Sequence, residues 1–90
     1  MENSKYLVEM SEIFYRDTIA LFERLVRQGE SHPNVSAEDV YKRLNIVVQV
    51  QNLYYHKKYK SVKEFLLQLG YTESEIESFK ALRQKENDAI

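Results

Sequence analysis

Along the first third of the chain, apolar residues recur at helical spacing. Leu7, Met10, Phe14, Leu21 and Leu25 form one stripe, and Val8, Tyr15, Ile19, Phe22 and Val26 form a second beside it. Glu9, Glu12, Arg16, Glu23 and Arg27 fall on the opposite side. This periodicity predicts a helix over residues 5–28, ended by Gly29 in the left-handed conformation. Its apolar arc covers about half of the circumference, whereas a helix packed against one neighbour needs a stripe nearer 100° wide. Such a helix either sits centrally in its own fold or meets a second chain.

Residues 30–35, with Pro33 and Asn34, read as a loop. Ser36 and Asp39 have the spacing of a capping box, with Val35 and Val40 placed as a hydrophobic staple, so a second helix is expected over residues 37–59. Val40, Leu44, Val47 and Tyr54 share one stripe of it, and Tyr41, Val48 and Tyr55 lie alongside. The β-branched run from Ile46 to Val50 competes as a strand, but the helical period continues on both sides and no second strand exists to pair with it. Ser61 and Glu64 form another capping box, opening a short helix over residues 62–69 that Gly70 ends. Thr72 and Glu75 form a third, with Tyr71 and Ile76 as staple, and a last helix follows over residues 73–85 that buries Ile76, Phe79 and Leu82.

These elements imply an all-α fold in a single helical domain spanning residues 1–90. An antiparallel pair of long helices, each about 35 Å at 1.5 Å per residue, is followed by a short helix-turn-helix. The width of the first helix's apolar arc makes a homodimeric helical bundle the expected assembly, with Leu7, Met10, Phe14, Tyr15, Ile19, Phe22 and Val26 as its dimer or partner interface.

Composition narrows the classes of function. The absence of cysteine removes disulfides, thiolate metal sites and thiol nucleophiles. Residues 1–6 hold no apolar run behind a basic stretch, and no segment approaches the roughly 18 apolar residues of a membrane span. A cytoplasmic location without membrane association is expected. The net charge of −1 conceals an uneven distribution: residues 54–63 contain four lysines and no acid, between flanks that are both net acidic.

That basic segment, Tyr55, His56, Lys57, Lys58, Tyr59, Lys60 and, after a short gap, Lys63, interleaves cations with aromatic rings. Lysines draw phosphates by releasing counterions, and tyrosines stack on unpaired bases without reading sequence. The segment is therefore the candidate nucleic-acid site. A structural explanation stands beside it: Tyr54 and Tyr55 fall on the buried arc of the second helix, and lysines near a helix C-terminus favour its dipole.

Residues 61–82 resemble the helix-turn-helix of DNA-binding proteins, including that of sigma-factor C-terminal regions. Gly70 matches the turn glycine, Ile76 the buried aliphatic six residues on, and Phe65, Leu69 and Phe79 other buried positions. Leu66 departs from the small residue usual at its position, and the recognition helix offers Glu73, Ser74, Glu75, Glu77 and Ser78, of which the three carboxylates are repelled by phosphates. The Leu69-Gly70-Tyr71 turn also resembles that of ubiquitin-associated domains. In size, residue usage and layout, above all over residues 41–82, the chain resembles small accessory proteins of Gram-positive plasmids and phages, the PrgN type of replication-control protein among them. That resemblance implies control of copy number or gene expression; helical bacteriocin-immunity proteins are similar in size and class.

Catalytic chemistry has little to draw on. His32 and His56 lie in no ligand spacing, and the pairs Glu9 with Glu12 and Glu73 with Glu77 lack the Glu-x-x-His partner of a di-metal bundle. No phosphate-cradling glycine loop is present. No catalytic residue, metal, cofactor or small-molecule substrate is expected. The sequence points to a small non-enzymatic regulatory or adaptor protein that binds another protein, with an RNA- or DNA-binding regulator as the alternative.

Overall fold

The structure, a computed structural model, describes residues 2–88, with side chains from Val8 onward. It is all-α: helix α1 covers Glu2–Glu23, α2 Ala37–Tyr54, α3 Val62–Gln68 and α4 Glu73–Asp88. No strand occurs among the described residues, and Ile46 to Val50 lie within α2. Among the described residues no helix is long and apolar enough to cross a membrane.

The helix ends follow from local chemistry. α1 widens into a π-helical turn, Arg24–Gln28, which Gly29 closes at φ 67° by donating its amide to the Arg24 carbonyl. At α2 the Ser36 hydroxyl accepts from the Asp39 amide at 3.1 Å and the Asp39 carboxylate accepts from the Ser36 amide at 3.2 Å. Ser61 caps α3 in the same way, but the Glu64 carboxylate reaches back one residue further, to the Lys60 amide at 2.9 Å. At α4, Thr72 and Glu75 exchange both bonds, at 3.1 and 2.9 Å. α3 ends as a Schellman motif: the Gly70 amide donates to the Leu67 carbonyl and the Tyr71 amide to the Leu66 carbonyl.

The second helix is shorter than the sequence pattern implies. It stops at Tyr54, not at residue 59. His56 takes a left-handed conformation at φ 55°, which no helix continues through. Tyr59 is then held back against α2 by Asn52, whose amide group donates to the Tyr59 carbonyl at 3.0 Å and accepts from its N–H at 3.1 Å. Two of the arc's side chains are consequently not buried: Tyr54 is 62% and Tyr55 40% exposed.

The core gathers around the second half of α1. Phe22 packs edge-on against Tyr71 and Phe79, with centroids 4.9 and 5.0 Å away, and Tyr15 does so against Phe65 at 5.8 Å. Leu21 and Leu25 line a crevice with Val35 and Val40, and Ala37, Leu44, Val47, Val48, Val62, Leu66 and Ile76 complete the buried cluster. α1 thus meets side chains from every other helix, which accounts for much of its wide apolar arc. Phe22, expected at the interface with a second chain, is wholly buried in this chain's own core.

Polar contacts tie α4 to the start of α2 and to the end of the first helix. Glu86 on α4 accepts from the Ala37 and Glu38 amides at 2.8 and 3.2 Å, capping the orphan donors of α2. Arg83 bonds Glu38 at 3.0 Å and lies 3.4 Å from the Tyr41 ring centroid. Arg27 closes the other side, bonding Glu75 at 2.6 Å while covering the Tyr71 ring.

Candidate binding surfaces

Most of the apolar side chains that the core does not absorb lie on the α1–α2 pair, with Leu67 and Leu69 exposed separately on and after α3. Met10, Ile13 and Val8 on α1 and Ile46 and Leu53 on α2 are exposed, Leu53 to 73%. Between the helices runs a groove of about 300 Å³, lined by Met10, Phe14, Ile46, Val47 and Val50. Of the interface residues read from the sequence, Met10 is exposed, while Phe14, Tyr15, Ile19 and Val26 are partly buried against the core. The side chain of Leu7 lies outside the described residues. The α2 half of this surface, Ile46, Val50 and Leu53, was absent from the sequence-derived set. Its signal was the run Ile46 to Val50: on a single helix these five residues spread around the axis, so they cannot all face one neighbour.

A second depression adjoins the first across Ser11, Tyr15 and Gln51, which line both. It has a volume of about 500 Å³ and adds Glu12 and Arg16 from α1 with Tyr55 and Lys57 from the segment after α2. Here the basic island takes its shape. His56 turns the chain so that the Lys57 amide donates back to the Gln51 carbonyl at 3.3 Å, which seats Lys57 over the end of α2 and opposite α1. Lys57, Lys58 and Lys60 are exposed and make no ion pair among the described residues; Lys63 approaches Glu73 at 4.0 Å, an exposed pair of little strength. Tyr59 has a structural role, its ring edge-on to Phe65 with centroids 5.2 Å apart. Burial and the neighbouring Tyr59 together raise the Tyr15 pKa.

The helix-turn-helix resemblance holds for the order α3, Gly70 turn, α4, but Leu69, expected to be buried, is exposed, and the resemblance fails at the surface as well. Glu73, Ser74, Glu77 and Ser78 are exposed at the start of α4, and Glu75 is engaged by Arg27 and by the Thr72 amide, which hold its pKa down at about 2. The face that would enter a groove is acidic. Leu66, in place of a small residue, is itself wholly buried in the core.

Polar groups elsewhere are committed to structure. In the crevice beside residues 31–36, the carboxylates of Glu38, Asp39 and Glu86 serve Arg83, the Ser36 amide and the α2 amides. His32 accepts from the Asn34 amide at 3.0 Å within its own turn. Among the described residues no cluster of His, Cys, Asp or Glu could hold a metal ion. Comparison with known protein families, curated proteins and solved structures found no match.

Proposed function

We infer that this chain is a small non-enzymatic regulatory or adaptor protein that acts by binding macromolecules, and that it does so as a homodimer built on an antiparallel α1–α2 pair. The observation behind this reading is the apolar groove of Met10, Phe14, Ile46 and Val50, together with Ile13 and Leu53 exposed on the same two helices. Exposed apolar side chains scattered singly need no explanation, but a contiguous group beside a groove marks an interaction surface.

We take a second copy as the occupant. A two-fold axis that sets α1 of one copy against α2 of the other brings apolar stripe to apolar stripe. The exposed charges on both helices are of both signs, Glu9, Arg16 and Asp17 on α1 and Asp39 and Lys42 on α2, so the apolar contact carries the pairing. The resemblance to plasmid replication-control proteins suggests the setting, control of copy number or gene expression.

Sedimentation equilibrium tests the assembly. The expected mass is twice the 10.8 kDa of the chain, falling to that of one chain in Ile13→Glu and Ile46→Glu, whose sites are exposed and whose helicity should be unchanged. A single-chain mass for the unaltered protein at high micromolar concentration overturns the dimer.

A further inference from the structure

We propose that the cleft between α1 and the segment after α2 binds a nucleotide of a single-stranded nucleic acid, phosphate on Arg16 and Lys57 and base on Tyr55. The cleft is formed within one copy, and it borders the groove assigned to the second copy at Ser11, Tyr15 and Gln51.

Its walls carry the groups that such a ligand needs. Arg16 and Lys57 face it from two different elements, and neither makes an ion pair among the described residues. Two unneutralised cations converging on one depression suit a phosphate, the guanidinium by its planar fork and the ammonium as a point charge. Tyr55, 40% exposed, supplies an aromatic face at the same cleft, and Tyr54 beside it is more exposed still. Stacking is open only to bases that are not already stacked in a duplex. Ser11, Glu12, Tyr15 and Gln51 complete the lining. A carboxylate here disfavours a ligand anionic throughout, such as an acidic peptide, but accepts from the amino and ring N–H groups of a base. The ligand is thus charged at one end and a hydrogen-bond donor at the other, as a nucleotide is.

The backbone around the cleft is shaped for this purpose at some cost. A helix running on to residue 59, as the apolar period implies, would keep Lys57 and Lys58 turning about its axis. Instead His56 adopts a left-handed conformation that costs a non-glycine residue about 1–2 kcal/mol. Asn52 clamps Tyr59 from both sides, and the Tyr59 ring is anchored on Phe65. The segment is held by residues other than its lysines, so its cations are left exposed. Lys58 and Lys60, exposed in the same segment, add to its positive charge.

Fluorescence anisotropy with a labelled ten-nucleotide single strand tests the assignment, with the matching duplex, the free mononucleotide and inorganic phosphate as competitors over a salt series. Saturable binding below about 10⁻⁴ M is expected, favouring the single strand over the duplex. Arg16→Glu with Lys57→Glu should weaken it at least ten-fold and lower the log–log salt slope by about 1.4, the share of two phosphates. Tyr55→Ala should weaken it roughly ten-fold while Tyr55→Phe retains it, since the ring and not the hydroxyl stacks. Lys80→Glu, on the exposed side of α4, should leave it unchanged. Absence of saturable binding, equal affinity for duplex, or indifference to the Arg16 and Lys57 reversal overturns the proposal. A mononucleotide that competes as strongly as the strand overturns the assignment to a strand.

Discussion

Thr18 is the one buried polar side chain among the described residues, and replacing it gives a sharp test of how the core is held together. It is 0% exposed, midway along α1, and its hydroxyl has no hydrogen-bond partner among the described residues. An unpaired hydroxyl taken from water costs about 1–3 kcal/mol by protein mutational measures. Thr18→Val keeps the shape and the β-branching, removes that cost and adds a buried methyl worth about 0.8 kcal/mol. The two residues have similar helix propensity, so the backbone contributes little to the difference. The expected change is a stabilisation of about 2–4 kcal/mol, at roughly 4–8 °C in Tm per kcal/mol for a domain of this size. Thr18→Ser makes the complementary change: it keeps the hydroxyl, deletes the methyl and should destabilise by about 1 kcal/mol. Urea denaturation followed by circular dichroism measures both. If Thr18→Val is neutral or as damaging as Thr18→Ser, the hydroxyl is satisfied in solution and the core is packed differently from the description above.

Three further outcomes follow from the polar contacts. Glu86→Ala should destabilise by about 0.5–2 kcal/mol, the usual worth of a helix cap, because it strips the acceptor from two α2 amides 49 and 48 residues away; hydrogen exchange should quicken first at Ala37 and Glu38. Since Arg27 and the Thr72 amide hold the folded-state pKa of Glu75 at about 2, below its ordinary 4.5, its contribution is complete above pH 4.5. It is lost as the pH falls towards 2, so Glu75→Gln should flatten the acid limb of a stability–pH profile. Asn52→Ala removes both bonds to Tyr59 and should cost about 1–3 kcal/mol; nitrogen relaxation should then report faster motion in residues 55–60.

What the sequence disclosed was the local chemistry. The capping pairs at Ser36, Ser61 and Thr72 and the glycines after α1 and α3 act within a few residues, so their spacing alone marks four helices and most of their ends. What it concealed was set by distant partners. Nothing near Tyr54 announces a helix stop as a glycine would, because the stop depends on Asn52 reaching Tyr59 across a left-handed His56, a conformation that histidine, like asparagine, only sometimes adopts. Glu86 as the cap of α2 and Arg27 as the partner of Glu75 bridge segments far apart in the chain. The same limit applies to the candidate surfaces. A wide apolar arc does not say which of its residues the chain buries itself. Phe22 met Tyr71 and Phe79 from the C-terminal half, whereas Met10 met nothing that covers it. The basic island was legible as composition, but its opposition to Arg16 on α1 was not.

The claim that the α1–α2 groove joins two copies is tested most directly by isotope-filtered nuclear Overhauser spectroscopy on an equal mixture of labelled and unlabelled protein. The account predicts intermolecular contacts from the Met10 and Ile46 methyl groups, and none from the buried ring of Phe22. Intermolecular contacts confined to α3 and α4, or none at concentrations well above the assembly midpoint, would contradict it.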